Sequence, residues 1–249
     1  MSPTGLWLIG AGNMGGALLR RWVGAGFDPV VVDPRLGQAV PPSGTPETVV
    51  LAVKPQVWQA ATAILGERLG TGTLVVSIMA GVPLAALAER FPGASVARAM
   101  PNMPAAAGLG ITGLFSAIAT PAERKRLGII FAATGTTEWL DAEADFDALT
   151  AVSGSGPAYV FAFIEALAAA GEAAGLATAL AMRLAKATVA GAAGMAAGET
   201  APADLRAAVT SPNGTTAAAL AVLLPGLTPL LRETVAAAAT RSRDLARMA

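Results

Sequence analysis

The hydrophobic residues in the first half of the chain form short aliphatic runs, and segments with helical spacing lie between them. This alternation is typical of a mainly parallel sheet covered by helices. It predicts strands at Leu6–Gly10, Pro29–Asp33, Thr48–Val53, Thr73–Ile78, Ser95–Met100 and near Thr136–Leu140. It predicts helices at Asn13–Ala25, Gln56–Leu69, Pro83–Phe91 and after Pro121, a glycine-rich connection at Gly108–Ser116 and an acidic surface connection at Asp141–Asp147.

The second half consists of long alanine-rich segments, and alanine is the best helix former. We predict helices at Pro157–Ala174, Thr178–Ala197, Pro202–Thr210, Thr216–Leu224 and Pro229–Met248. The chain therefore divides into an α/β domain over residues 1–150 and an all-helical domain over residues 151–249. Val160, Phe161 and Phe163 leave the first of these helices little polar surface, which predicts a homodimer or a higher homo-oligomer. A closed monomeric bundle is the alternative.

The composition limits the chemistry that the chain can perform. Its 249 residues include 17 Lys and Arg, 17 Asp and Glu, and neither His nor Cys. Without those two residue types we predict no zinc finger, no thiolate nucleophile, no disulfide and no histidine base. We expect no metal site. Because the charges balance, no general field attracts nucleic acid. The expected partner is a small molecule.

The chain can bury a large core, since 54% of its residues are hydrophobic and 14% are charged. Ala99–Ala122 and Ala207–Leu231 carry no charge, but proline and glycine interrupt both, so we predict no membrane span. The N-terminus has no basic leader, which predicts that there is no signal peptide. We therefore expect a cytoplasmic protein.

A glycine-rich turn follows the first predicted strand. Gly10, Gly12 and Gly15 form a G-x-G-x-x-G motif that leads into a helix. In such a turn, backbone N–H groups at the helix N-terminus face the diphosphate of a dinucleotide. The motif predicts a Rossmann-type sheet that binds NAD or NADP. The expected cofactor contacts in this turn are Gly10, Gly12, Asn13 and Met14.

Asp33 ends the second predicted strand, 18 positions after Gly15. A carboxylate there can accept the hydroxyl groups of the adenosine ribose, which favours NADH. Arg35 can instead pair with the extra phosphate of NADPH, so the choice between the two cofactors stays open. Asp33 could also serve only to form the turn before Pro34. Pro34–Glu47, with prolines at 34, 41, 42 and 46, is too short for a helix-and-strand crossover and predicts a loop or a very short helix.

Five motifs taken together resemble one enzyme family. They are I-G-A-G-N-M-G at 9–15, A-V-K-P at 52–55, R-A-M-P-N-M-P at 98–104, S-G-S-G-P-A-Y-V-F at 153–161 and V-T-S-P-N-G-T-T at 209–216. Their order and spacing resemble pyrroline-5-carboxylate reductase across nearly the whole chain. The resemblance implies an N-terminal Rossmann domain, a C-terminal helical dimerisation domain, and reduction of 1-pyrroline-5-carboxylate to L-proline by NADPH or NADH. The chain departs from the family at Asn213, where glycine is usual, but asparagine tolerates a left-handed turn.

The resemblance also implies roles for single residues. Thr216 would hydrogen-bond the ring nitrogen and deliver a proton, and Glu199 would meet the substrate amine. The turn before Thr216 would hold the substrate carboxylate, and a helix N-terminus does offer unpaired N–H groups to an anion. The implied substrate residues are Ser211, Asn213, Gly214, Thr215, Thr216 and Glu199. The further implied cofactor residues are Ala52, Val53, Lys54, Pro55, Met100, Pro101 and Asn102.

Several alternatives remain open at the level of sequence. The 211–216 segment could be an ordinary helix cap, and Glu199 and Lys54 could be solvated charges. The protein could reduce another imine or ketimine, or it could be a non-catalytic NAD(P)-binding sensor. The 3-hydroxyacid dehydrogenases share the two-domain plan, but their catalytic lysine and asparagine correspond to Val160 and Ile164 here. A protonated imine needs no histidine base, which agrees with the composition.

Overall fold

A seven-stranded sheet forms the first part of the protein in a computed structural model that describes residues 5–41 and 43–248. Its strands are β1 Leu6–Ile9, β2 Val30–Val32, β3 Thr48–Leu51, β4 Leu74–Ser77, β5 Ser95–Pro101, β6 Gly110–Phe115 and β7 Gly135–Trp139. They lie in the order β2-β1-β3-β4-β5-β6-β7, and only the pair β5 and β6 is antiparallel.

Five helices belong to the same part of the chain. They are α1 Asn13–Gly24, α2 Trp58–Thr62, α3 Leu84–Arg90, α4 Pro121–Ala132 and α5 Asp145–Leu149. Short 3-10 turns lie at Pro34–Leu36, Pro55–Val57, Ala63–Arg68 and Met103–Ala107. The start of α4 is fixed by a reciprocal capping box between Thr120 and Glu123, with proline at the first helical position.

Hydrophobic cores lie on both faces of the sheet, because successive strand residues point to opposite sides. One core includes Trp7, Ile9, Trp58 and Leu87. The other includes Leu6, Leu8, Trp22 and Phe131. With both faces covered, the open edge at the carboxyl ends of the parallel strands is the place where a ligand can approach.

The sequence prediction missed β6, which was expected to be a glycine-rich connection. Glycine is a poor strand former, so local propensity argued against a strand. In the structure the Leu149 side chain of α5 packs directly on Gly113 and leaves no room for a Cβ atom. Gly113 of this strand is therefore explained by Leu149, which is far away in the sequence.

The single helix predicted at Gln56–Leu69 is also wrong. The chain forms a 3-10 turn, the short helix α2 and a second 3-10 turn in its place. The segment contains four residues that are weaker α-helix formers than alanine or leucine: Val57, Thr62, Ile64 and Gly66. Their low helix propensity accounts for the interruption.

Four helices make up most of the C-terminal part. They are α6 Gly156–Ala173, α7 Thr178–Ala196, α8 Pro202–Ala208 and α9 Thr215–Met248, with a π-helical turn at Thr150–Gly154 before α6. The predicted break between Thr216–Leu224 and Pro229–Met248 is wrong, because α9 continues through Pro225 and Pro229. Each proline removes one helical N–H donor, and the helix formers on both sides continue the helix across this loss.

The contacts between Cα atoms divide the chain into two compact units. Unit 1 comprises Met1–Ser155 and Ala237–Ala249, and unit 2 comprises Gly156–Ala236. The last turns of α9 group with unit 1, where Ser242 Oγ donates to Asp147 Oδ1 at 2.7 Å. The division predicted between residues 150 and 151 does not include this return of the chain, and as a statement about domains it stays a prediction.

Unit 2 buries very little apolar surface by itself. Within residues 156–236, all of which the structure describes, the buried hydrophobic side chains are Ala168, Ala181 and Ala185. Phe161 is 55% exposed and Val222 is 84% exposed. Two helical stretches, 145–173 and 215–247, are long and apolar enough to cross a membrane by length and composition alone. The second overlaps Ala207–Leu231, where proline was expected to interrupt any span.

A half-buried ion pair joins β5 to the acidic segment before α5. Arg98 Nη1 donates to Glu143 Oε1 at 2.8 Å, and the same oxygen accepts the backbone N–H of Leu84 at 2.8 Å. The Arg98 guanidinium also lies 4.2 Å from the centre of the Phe146 ring. Part of the segment predicted to be a surface connection therefore packs against the sheet unit.

We expect Glu143→Ala to lower the free energy of unfolding by about 2–3 kcal/mol, because it leaves a buried guanidinium and a backbone N–H without their acceptor. Urea unfolding measures this loss. Glu138→Ala, at an exposed position of β7, serves as the control and should change stability by less than about 0.5 kcal/mol. Equal losses in the two variants would contradict the role given to the Arg98 pair.

Candidate active site

The glycine turn joins β1 to α1 through close backbone contacts. Gly10 has a φ of 91° and donates its N–H to Val32 O at 2.9 Å, which ties the turn to β2. A Cβ atom on Gly15 would collide with the carbonyl oxygen of Gly10 and lie 2.9 Å from the Ala52 side chain. The turn therefore needs glycine at this point, so that α1 can start against the strands.

Gly12 differs from its neighbours because the space beside it is open. A Cβ atom there would have one neighbour within 4 Å, Arg35 Nη2 at 3.8 Å. Gly12 is the N-cap of α1, and the N–H groups of the first helical turn have no acceptor within the helix. The arrangement fits the diphosphate of a dinucleotide, which needs such donors and close access to the backbone.

A cavity of about 470 Å³ opens beside this turn. Seven residues predicted from the sequence lie together in its wall: Gly10, Gly12, Asp33, Arg35, Ala52, Val53 and Lys54. Asn13 and Met14 lie next to it in the first turn of α1, and Pro55 follows Lys54 in a 3-10 turn.

The other predicted cofactor residues, Met100, Pro101 and Asn102, lie at the end of β5 and are not in the wall of this cavity. The side chain of Asn102 is buried and serves the fold. Its Oδ1 accepts the N–H of Ile111 at 3.0 Å, and its Nδ2 donates to Ser153 Oγ at 3.2 Å. The amide therefore joins the end of β5 to β6 and to the turn before α6. The contact of these three residues with a cofactor stays a prediction.

Sequence reasoning missed the wall of the cavity opposite the glycine turn. It consists of Val57, Ala60, Ala61 and Ile64, together with Ala39. Val57 is 51% exposed and Ile64 is 37% exposed, which is unusual for aliphatic residues beside a sheet. The sequence feature that could have identified this wall is the spacing of Val57, Ala60, Ala61 and Ile64, which places apolar residues on one side of the segment after β3.

Asp33 lies at the end of β2 with its carboxylate almost fully buried. Oδ2 accepts the N–H of Ala11 at 2.7 Å, and Oδ1 accepts the N–H of Arg35 at 2.9 Å. The Arg35 side chain adds hydrogen bonds from Nε at 3.2 Å and from Nη2 at 2.8 Å. These donors, the Arg35 side chain first, hold the pKa of Asp33 well below its usual range, despite the opposing effect of burial.

The segment after Asp33 is short, as the sequence predicted. A 3-10 turn at Pro34–Leu36 follows, and a single bridge joins Asp33 to Gln38 before the chain reaches β3. Pro42, one of the prolines that supported this prediction, lies outside the described residues. Because no crossover helix covers this side, the Arg35 side chain stays 71% exposed.

The predicted anion-binding turn lies at the start of α9 in unit 2. Asn213 has a φ of 57°, the left-handed conformation that its substitution for glycine requires. Gly214 N–H donates to Ser211 O at 3.1 Å, and a Cβ atom on Gly214 would collide with Ser211 Oγ. The first N–H groups of α9, from Thr215 on, have no acceptor within the helix. The turn can therefore bind a carboxylate.

The two remaining substrate predictions differ in their surroundings. Thr216 is half-buried in the first turn of α9, beside the N–H groups that could bind an anion. Glu199 is exposed on the connection between α7 and α8. Their roles stay predictions. No group of three His, Cys, Asp or Glu residues that could hold a metal ion occurs within the described ranges 5–41 and 43–248.

Comparison with known proteins decides the family. Residues 143–245 match the family described as pyrroline-5-carboxylate reductase dimerisation. The pyrroline-5-carboxylate reductase of Pseudomonas aeruginosa is 39% identical over an alignment of 269 positions, which covers 99% of this chain and 98% of that protein. This chain belongs to the pyrroline-5-carboxylate reductase family.

Solved structures of pyrroline-5-carboxylate reductases agree with this assignment. The enzyme from Coxiella burnetii has a TM-score of 0.91 and 32% identity, over 98% of this chain and 99% of that one. The Plasmodium falciparum enzyme with NADP bound has a TM-score of 0.83 and 26% identity, over 99% and 100%. The resemblance inferred from the five motifs is confirmed, as is the α/β class with a C-terminal helical dimerisation region.

A second cavity, of about 640 Å³, lies within unit 2 of this pyrroline-5-carboxylate reductase family member. It is lined by residues of α8 and α9 and of the segment between them: Arg206, Ala207, Thr210, Ala217, Leu220, Ala221, Leu224 and Pro225. These residues lie within the region 143–245 that matches the dimerisation family.

Proposed function

We propose that this chain reduces 1-pyrroline-5-carboxylate to L-proline with NADPH or NADH. The observation that carries the proposal is the left-handed turn at Asn213 before α9. Asn213 adopts the backbone conformation of the glycine that is usual in the family motif, so the N–H groups at the start of α9 remain available to an anion. A sensor that only bound the dinucleotide would have no need for this turn. A relative named pyrroline-5-carboxylate reductase, 39% identical over 99% of this chain, supports the same conclusion.

The cavity beside Gly12 fits a nicotinamide dinucleotide, because the glycine leaves the N–H groups of α1 accessible. When bound, the reduced nicotinamide would supply a hydride to the carbon of the C=N bond, so that a C–H bond forms and the C=N bond becomes a single bond. The turn at 211–216 holds the carboxylate and so fixes the position of the ring. The Thr216 hydroxyl hydrogen-bonds the ring nitrogen. That nitrogen takes one proton, either from solvent or from Thr216 with replacement from solvent, and becomes the secondary amine of L-proline.

The direct test is an assay of NADH and NADPH oxidation with 1-pyrroline-5-carboxylate, with L-proline measured as product. We expect oxidation that depends on the substrate and one proline for each reduced cofactor consumed. Binding of either cofactor without oxidation would favour the sensor. Oxidation with other cyclic imines, but none with this substrate, would favour a related imine reductase.

We also propose that a second copy of the chain covers the apolar faces of α6 and α9. Unit 2 buries only small alanine side chains, so it needs a large further apolar contact to be stable. The match to a dimerisation region over 143–245 supports a homodimer or a higher homo-oligomer. On this view the membrane-length helices face a partner subunit, and the enzyme works in the cytoplasm. Cell fractionation that recovered it with membranes would contradict this.

Phe161→Glu should dissociate the oligomer, because it places a charge in the middle of an apolar contact surface. Light scattering coupled to size-exclusion chromatography measures the mass. Val23→Glu, at a 58% exposed position on α1, is the matched control and should leave the mass unchanged. An unchanged mass for Phe161→Glu would contradict the proposed interface.

A further inference from the structure

Two backbone N–H groups fix the Asp33 carboxylate at the end of β2. Ala11 in the glycine turn donates to Oδ2, and Arg35 donates its backbone N–H to Oδ1. The carboxylate is 4% exposed, so it has little freedom to turn away. Both oxygens retain one acceptor position each, since a carboxylate oxygen has two lone pairs.

The Arg35 side chain occupies both of those positions. Its Nε donates to Oδ1 at 3.2 Å and its Nη2 to Oδ2 at 2.8 Å. The guanidinium also lies close to the glycine turn, because Nη2 is 3.8 Å from the position that a Cβ atom on Gly12 would occupy. It therefore extends into the cavity that a dinucleotide would enter.

This side-chain pairing is easily opened. The Arg35 side chain is 71% exposed, and an ion pair with one partner in solvent contributes little to stability. The backbone hydrogen bonds remain when Arg35 leaves, so the carboxylate keeps its orientation.

We propose that Arg35 takes the place of the adenosine ribose on Asp33 in the free protein, and that the ribose diol replaces it, so that the enzyme prefers NADH to NADPH. The proposal rests on the function proposed above. Two N–H donors are exchanged for two O–H donors on the same carboxylate oxygens. The 2′-phosphate of NADPH replaces one of those hydroxyl donors and places roughly two negative charges next to Asp33.

The pKa of Asp33 supports this direction of selectivity. The pKa is lowered by Arg35 and also by the backbone hydrogen bonds, which persist without Arg35. These backbone donors favour the ionised carboxylate, which repels a phosphate placed beside it.

Calorimetric titration of the full-length protein with NADH and with NADPH tests the proposal without any substrate. We expect NADH to bind at least about tenfold more tightly. Asp33→Ser should weaken NADH binding and leave NADPH binding no weaker. Arg35→Ala should tighten NADH binding by about twofold to fivefold, because it removes an internal competitor. Lys125→Ala, an exposed charge on α4, should leave the ratio of the two dissociation constants unchanged.

Equal or tighter binding of NADPH by the unmodified protein would overturn the proposal. So would an Arg35→Ala variant that loses affinity for NADPH and not for NADH, because Arg35 would then be a phosphate ligand. If Asp33→Ser does not fold, the affinities of the unmodified protein and of Arg35→Ala for the two cofactors are enough to test the proposal. NADH preference without turnover of the imine would contradict only the proposed function, and turnover with NADPH preference would contradict only this inference.

Discussion

Gly12→Val is expected to weaken NADH and NADPH binding by more than about 100-fold, equivalent to about 2.8 kcal/mol. The new side chain would extend into the cavity and over the N–H groups of α1 that bind the diphosphate. The fold should survive, because the backbone at Gly12 is extended, with a φ of −67°, and the space beside it is open. Loss of a good N-cap residue should cost about 1 kcal/mol.

Gly24→Ala is the matched control for this variant. Gly24 lies in the last turn of α1, and a Cβ atom there has nothing within 4 Å. We expect unchanged cofactor affinity and a gain in stability of up to about 1 kcal/mol. Fluorescence titration of the reduced cofactor, with thermal unfolding of the same samples, separates binding from folding. Normal affinity in Gly12→Val would contradict the position given to the diphosphate.

Gly214→Ala is expected to lower kcat/KM for the imine by about 100-fold while the dissociation constant of the reduced cofactor changes little. The methyl group would collide with Ser211 Oγ and lie 3.1 Å from the Ser211 carbonyl oxygen, so the Ser211 hydroxyl must turn away and the turn before Thr215 shifts. A displacement of the turn moves the N–H groups away from the substrate carboxylate. Steady-state kinetics at saturating cofactor measures the loss.

The control for Gly214→Ala lies in the same helix. Gly226 has open space where a Cβ would be, so Gly226→Ala should keep full activity and a similar or higher unfolding temperature. Equal losses of activity in the two variants would mean that α9 is sensitive throughout, and the role of the turn would be contradicted.

The glycine turn and the left-handed turn were predictable because each depends on residues close together in the sequence. The positions of Gly10, Gly12 and Gly15 follow from backbone geometry, and Asn213 is one of few residue types that adopt a positive φ. The carboxylate of Asp33 was also predictable, since it ends a strand at a fixed distance from the turn.

Other features depend on contacts that a single sequence does not display. Gly113 of β6 is explained by Leu149 of α5, and the continuation of α9 through Pro225 and Pro229 depends on the whole length of that helix. The pairing of Arg35 with Asp33 depends on a side-chain rotamer rather than on spacing. Pairing of Arg35 with a phosphate was one of two open alternatives; in the structure its side chain hydrogen-bonds the Asp33 carboxylate, and its contact with a cofactor stays a prediction.

We expect the turn before α9 to hold the carboxylate of the substrate. A crystal structure of the protein with L-proline and the oxidised cofactor tests this most directly. We expect both carboxylate oxygens within hydrogen-bonding distance, about 2.7–3.2 Å, of the backbone N–H groups from Gly214 to Thr216. A proline carboxylate bound to other groups, with no contact to this turn, would contradict the role given to the turn in substrate binding.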